Sequence, residues 1–304
     1  MKPNTKSSQN ERNNQLRGKS SYKRFKQLIS ELWRNTSGKI SIIILVPICS
    51  VIILSPLLPL QDPNTTAGAS TLLGPLTDGH ILGTDNFGRD LLARTIFGGR
   101  TSLMLGVMSV ILSLIAGIPL GILAGYQGGR VDEFIMRLMD VLMSFPTLIF
   151  ALLILVVLGG SIWNAIFAVG IVFTPRVARI VRSSTLSVRN KEYVKAAEAR
   201  GESRSYIMFG EILPNITSDI IVEASIRIGF GILIGTSLSF LGLGTQPPTA
   251  DWGNMVAEAR GYIWNSPWFL LWPSIALALT VIGFNLLGDA LRDVLDPEVS
   301  EDNL

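Results

Sequence analysis

The sequence is poor in charge, in cysteine and in histidine. Charged residues fill 16% of its 304 positions and apolar residues 48%, whereas a soluble domain carries about 25% charged residues. So little charge excludes a water-facing surface over most of the chain and puts that surface in lipid. A net charge of only +3 argues against nucleic acid as a partner. The one cysteine, Cys49, makes neither an internal disulfide nor a thiolate metal site alone, so the redox compartment is not written in the sequence. The one histidine, His80, lies in a polar loop without other ligand types around it and reads as a solvated loop residue. No nucleophile elsewhere has a histidine to pair with. A phosphate-binding loop is missing too. "GKSS" at Gly18 has Asn13 where the loop needs glycine, and "SGKI" at Ser37 has Ile40 where a hydroxyl must hold Mg²⁺. The chain reads as non-catalytic, with no cofactor of its own.

What is present is a set of long apolar runs. A helix needs roughly 20 apolar residues to cross a hydrocarbon core of about 30 Å. Six runs qualify, at about 40–60, 101–129, 138–158, 162–180, 216–241 and 268–290. The expected fold is therefore all-α, a polytopic membrane protein with about six transmembrane helices. Gly117, Gly121 and Gly125 recur every four residues in the second run and predict close helix packing. Pro146 and Pro175 are expected to kink their spans.

Ten basic residues precede the first span, from Lys2 to Lys39, against only Glu11 and Glu31. With six crossings, 21 of the 26 Lys and Arg fall on that same side. Arg89, Arg94, Arg100 and Arg260 fall on the other, and Arg227 lies within a span. The positive-inside rule places both termini in the cytoplasm. Residues 1–36 read as a basic cytoplasmic tail touching anionic lipid, 37–298 as the membrane domain and 299–304 as a short C-terminal tail. "AGA" at Ala67 imitates a signal-peptide cleavage site, but the preceding basic region is long and Asp62 and Pro63 intervene, so an uncleaved anchor is expected.

Three polar constellations stand out. In the fifth span Asp219, Glu223 and Arg227 follow at i, i+4 and i+8 and share one helix face. A lone arginine at mid-bilayer costs about 3 kcal/mol, so this stripe faces protein or water. Either Arg227 lines a substrate path, or Glu223 and Arg227 pair internally. The outer loop carries Asp85, Arg89 and Asp90, which either meet an outer partner or order the loop by pairing with one another. Trp252 is a candidate outer docking anchor or a membrane-interface aromatic. On the cytoplasmic side, 192–215 reads "EYVKAAEARGESRSYIMFGEILPN". Its first part is helix-prone and is ended by Gly201; Ser203 caps a second helix that Pro214 stops. Small residues on one face would let another protein's backbone approach.

Ala196-Ala197, then Gly201, then Leu213-Pro214 resemble the coupling loop of ABC importer membrane subunits. "GTDNFGRDLLAR" at Gly83, "LAGYQGG" at Leu123, "DVLMSFP" at Asp140, "SLSFLGLGTQPPTADWGNM" at Ser237 and "FNLLGDALRDVLDP" at Phe284 are similar to the C-type permease of the dipeptide/oligopeptide/nickel branch. The resemblance covers about 30–298. It implies a coupling helix between helices 4 and 5, with Glu192, Tyr193, Ala196, Ala197, Gly201, Leu213 and Pro214 meeting the ATPase. It also implies a second homologous permease subunit, two ATP-binding subunits that hold ATP and Mg, and an extracytoplasmic substrate-binding protein. The implied cargo is a peptide, with nickel or glutathione as alternatives; an autonomous channel or ion-coupled carrier is the reading from another class. Two residues depart from the family pattern: Lys195 stands where the loop's leading Glu is usual, and Glu211 where this branch often has His.

Overall fold

The computed structural model describes Lys26 and residues 28–68 and 70–295. Most of the expected 1–36 tail and all of 299–304 lie outside the described residues. Five helices are long and apolar enough to cross a membrane: α1 (Thr36–Leu54, extended by a 3₁₀ turn, Ser55–Leu57), α2 (Leu91–Gln127), α5 (Ile162–Arg189), α8 (Thr217–Phe240) and α10 (Pro267–Leu295). The sixth crossing is a bent pair, α3 (Gly129–Met143) and α4 (Thr147–Leu158), whose axes differ by 88°. The expectation of one helix over 138–158, kinked at Pro146, is corrected here to two helices. Pro146 has no N–H to donate and forces the residue before it away from helical geometry, so the chain breaks instead of kinking. Pro175, in contrast, lies inside a continuous α5. α3 also begins well before residue 138. Two of its carboxylates are neutralised on α5, where Asp132 pairs with Arg182 and Asp140 with Arg179.

Contacts at the two ends of the bundle fix its topology. At one end Asn35 donates to Asp293 at 3.0 Å, so the start of α1 and the end of α10 lie together. The tyrosine hydroxyl of Tyr126, at the end of α2, meets Glu198 at 3.2 Å. At the opposite end Trp272 donates to the Leu82 carbonyl at 3.1 Å. The α4–α5 turn lies at this second end, because Gly160 is close to Leu243 and Gln246. The bent pair therefore runs from one end to the other and completes six crossings. The first end carries the basic residues and is cytoplasmic.

α2 and α5 form the most extensive contact, and glycine makes it possible. A Cβ on Gly121 would lie 2.5 Å from the Ala178 carbonyl oxygen, one on Gly117 2.7 Å from Val177, and one on Gly125 2.7 Å from Thr185. Gly106 meets the α8 backbone in the same way. In lipid, where no hydrophobic effect draws helices together, such close approach provides van der Waals attraction in its place. Gly121→Ala should cost about 1–3 kcal/mol through overpacking. In detergent it should lower the midpoint of thermal unfolding by several degrees, whereas Gly261→Ala, which meets open space, should leave it unchanged.

Candidate functional site

The cytoplasmic loop holds two short helices. α6 (Glu192–Ala199) buries Val194 and Ala197 against Ile207 and Ile212 and leaves Glu192, Lys195, Ala196 and Ala199 exposed. Gly201, at φ +76°, ends it in the left-handed region that glycine tolerates. The Ser203 hydroxyl accepts from the Tyr206 amide at 3.2 Å and caps α7, which runs from Arg204–Tyr206 through a π-helical segment, Ile207–Ile212, to Leu213–Asn215. Proline removes a helical donor and crowds the carbonyl four residues back; widening the turn before Pro214 to π geometry accommodates this. Pro214 thus lies within the helix, which ends one residue later, at Asn215. Arg200 reaches Glu211 at 3.5 Å and Glu202 at 3.6 Å, so Glu211 ties α7 to the end of α6. Tyr193 is half-buried, and burial, then Glu211, push its phenol above its ordinary value.

One expectation about this loop is corrected. Ala196 and Ala197 do not present one face to a partner, because neighbouring helical residues point about 100° apart. Ala197 is 0% exposed and belongs to the permease's own core; Ala196 and Ala199 form the outward face. On α7, Tyr206 and Phe209 are each nearly half exposed, and sequence reasoning passed them over. The signal was the run Tyr206 to Phe209, four apolar residues that a two-sided helix cannot bury together.

Within the membrane, the Glu223 carboxylate accepts a hydrogen bond from Arg227 Nε, and both residues are buried, at 5% and 8% exposure. The internal pair expected at i, i+4 is formed. Arg227 also stacks over Phe173 and Phe230, at 5.7 and 5.4 Å. The pair stands between two cavities. Glu223 lines one of about 490 Å³ that opens to the cytoplasmic end beside Ser184, Ser187, Lys191, Asp219 and Arg292. Arg227 lines another of about 170 Å³ at the α3–α4 break.

At the outer end the charges close on one another. Arg89 pairs with Asp85 at 2.5 Å and with Glu258 at 2.8 Å, while Arg94 lies 3.3 and 3.6 Å from the same two carboxylates. Glu258 belongs to α9 (Trp252–Ala259), so this network joins the outer loop to α9. Asp90 caps α2 through the Ala93 amide and holds His80 at 2.8 Å. The solvated histidine expected at position 80 is in fact buried. Asp85, Arg89 and Asp90 are buried too, and Trp252 is 1% exposed with its indole on the Thr95 carbonyl. Of the two readings for Asp85, Arg89 and Asp90, the internal pairing that orders the loop is the one formed; docking through exposed side chains of these residues or of Trp252 is corrected, because all four brace the outer face from within. An unpaired charge is costly once it leaves water, and here the two guanidinium groups meet Asp85 and Glu258. Asp251 is fully buried beside them. It caps α9 through the Gly253 and Asn254 amides and accepts from Ser102 of α2.

With this geometry in view, comparison with known proteins decides the family. Residues 117–301, more than half of the chain, match the family described as binding-protein-dependent transport system inner membrane component. The chain belongs to that family. As a family member it is an inner membrane component and a permease subunit. A dipeptide transport system permease protein of Alkalihalophilus pseudofirmus is 39% identical over 90% of each chain. An oligopeptide transport system permease protein of Haemophilus influenzae is 38% identical over 93% of this chain and 91% of its own. A glutathione transport system permease protein of Pectobacterium atrosepticum is 44% identical over 74% and 75%. Among solved structures, an inward-facing MetNI methionine ABC transporter superposes with a TM-score of 0.55 at 18% identity, covering 66% of this chain and 96% of that one; it speaks for the fold.

Two outcomes test the outer half of this permease. Asp85→Asn leaves two buried guanidinium groups short of a counter-charge and should destabilise the protein by about 3–5 kcal/mol, read as an early thermal transition in detergent. Burial pushes the Asp251 carboxyl up, against the hydrogen bonds that pull it down. The folded state then holds its proton to higher pH than the unfolded state does, so the stability this group confers falls as pH rises through that window. Asp251→Asn, which mimics the protonated form, should gain stability relative to wild type as pH is raised from the ordinary carboxylate range upward in thermal-melt measurements.

Proposed function

We propose that this chain is the permease subunit through which an ATP-driven importer passes peptides of the di- and oligopeptide class. The observation that carries the reading is the cytoplasmic surface of α6 and α7, joined through the Gly201 turn and the Ser203 cap and braced on α2 and α5, in a chain of this family. Ala196 and Ala199 provide a flat approach, and Tyr206 and Phe209 provide aromatic anchors of the kind that dominate protein interfaces. Glu192, Gly201, Leu213 and Pro214 complete the surface, while Tyr193 and Ala197 hold it in place from beneath. One of the assembly's two ATP-binding subunits docks here, and those two subunits hold ATP and Mg; this chain performs no hydrolysis itself. A second homologous permease completes the path, and an extracytoplasmic substrate-binding protein delivers cargo to the outer face. Lipid covers the remaining helix surfaces.

The peptide assignment is supported by the dipeptide and oligopeptide relatives. Glutathione, the cargo in another relative's name, is itself a peptide. Nickel complexes remain the alternative cargo. Motion of the ATPases reaches the membrane only through a surface that is stiff against its own subunit, and the burial of Val194, Ala197, Ile207 and Ile212 supplies that stiffness.

Ala196→Trp tests the docking surface, since position 196 faces outward and the permease fold does not depend on it. It should abolish co-purification of the ATPase subunits and uptake together, while the thermal midpoint of the permease stays within about a degree, as for surface substitutions generally. Uptake by this chain alone in vesicles, without ATP, would show the autonomous-carrier reading to be the correct one.

A further inference from the structure

The cavity at the α3–α4 break brings together groups that lie far apart in sequence. Arg176 of α5 and Arg227 of α8 both line it, with Phe145, Thr147, Phe173 and Phe230. It lies near mid-membrane, since Arg227 is the eleventh of the 24 residues in α8, roughly 15 Å from that helix's cytoplasmic end at 1.5 Å per residue.

The charges around this cavity do not cancel. Glu223 engages only the Nε of Arg227 and leaves both terminal nitrogens without a hydrogen-bond partner among the described residues, although the residue is more than nine-tenths buried. Arg176 forms no ion pair among the described residues; Asp140, one turn above the break, is engaged by Arg179. α4 adds a third positive element. Its first residue, Thr147, lines the cavity, and its N-cap, Pro146, supplies no side-chain cap. The first-turn amides are therefore left for another acceptor. One cation in excess, a second with free donors and an uncapped helix start meet in a pocket walled by aromatic rings. Such an arrangement is costly in a membrane unless an anion visits it, and broken helices that aim their N-termini at anionic substrate groups are a recurrent solution in transporters.

We propose that this cavity is an anion subsite on the translocation path, receiving the C-terminal carboxylate of a passing peptide on Arg176, Arg227 and the start of α4. The Phe173 and Phe230 rings would hold the adjoining side chain. At about 170 Å³ the cavity takes the carboxylate and one small residue, not a whole peptide. The exposed rim, Phe145 and Phe230, is left for the opposite wall of the path. This inference rests on the peptide reading above, and Arg176 is its new residue.

The test uses the complete importer, with its partner subunits and binding protein, in proteoliposomes. Uptake of alanyl-alanine and ATP hydrolysis are measured together at saturating binding protein. Arg176 is exposed, so Arg176→Gln should fold and assemble normally. Loss of one charge-assisted hydrogen bond should lower maximal uptake about ten- to a hundredfold. Hydrolysis should continue, so that fewer peptides move per ATP. Arg176→Lys, which keeps the charge, should retain uptake within about threefold, the part of the loss due to bidentate geometry alone. Arg179→Gln, which removes an exposed pair, should stay near wild type. Wild-type uptake and coupling in Arg176→Gln would overturn the subsite, as would equal losses in the Gln and Lys variants. If the wild-type importer carries no alanyl-alanine but does carry a non-peptide solute, it is the peptide assignment that fails.

Discussion

The contact between α2 and α5 is the constraint on which the rest of this permease depends. Three glycines one turn apart bring the two backbones close enough that a single methyl group on Gly121 would strike the Ala178 carbonyl. Lipid offers helices no hydrophobic drive to associate, so this close fit is what holds the pair. The cytoplasmic ends of both helices then support α6, through Tyr126 and Glu198 and through the apolar layer of Val181, Val188 and Val194. The outer end of α2 carries Arg94, Ser102 and the Asp90 cap, to which the outer loop and α9 are fastened. A lever at one end and a rigid platform at the other are thus attached to the same helix pair.

Ion pairing recurs across the molecule. Among the described residues the buried and part-buried ion pairs include Asp132 with Arg182, Glu223 with Arg227, and Asp85 and Glu258 with Arg89 and Arg94, while buried Asp251 is held by neutral donors alone. The desolvation penalty leaves little alternative. The outer network shows what such pairing does for architecture. It joins residues some 170 positions apart in sequence and gives an otherwise irregular loop one conformation. The cavity beside Arg176 is the place where this neutralisation stops short, and it lies beside the one broken helix.

Much of the fold was legible because lipid imposes rules that act on local composition. The asymmetry of lysine and arginine oriented the chain, and the glycine repeat marked the tightest crossing. Gly201 and Ser203 marked the end of one short helix and the start of the next, and the structure has both. A kink at Pro146 was legible, but its growth into the 88° α3–α4 break was not, for a physical reason: hydropathy averages over Ser144 to Pro146, and a proline alone does not say whether the helix bends or stops there. The four outer candidates, Asp85, Arg89, Asp90 and Trp252, were conspicuous as residues. Their burial depends on Glu258 and Thr95, which no local pattern connects to them.

The sequence by itself determined that the chain spans the membrane, which end faces the cytoplasm, and that 192–215 is an ordered polar segment. Each of these follows from transfer free energy or backbone preference, which are properties of neighbouring residues. Only the tertiary structure decided which side of that segment faces outward, with Ala196 exposed and Ala197 in the core. It alone decided that His80 is enclosed and that Arg176 and Arg227 share a cavity. Those outcomes are set by the packing of helices distant in sequence, where the position of a side chain depends on what the rest of the chain brings against it.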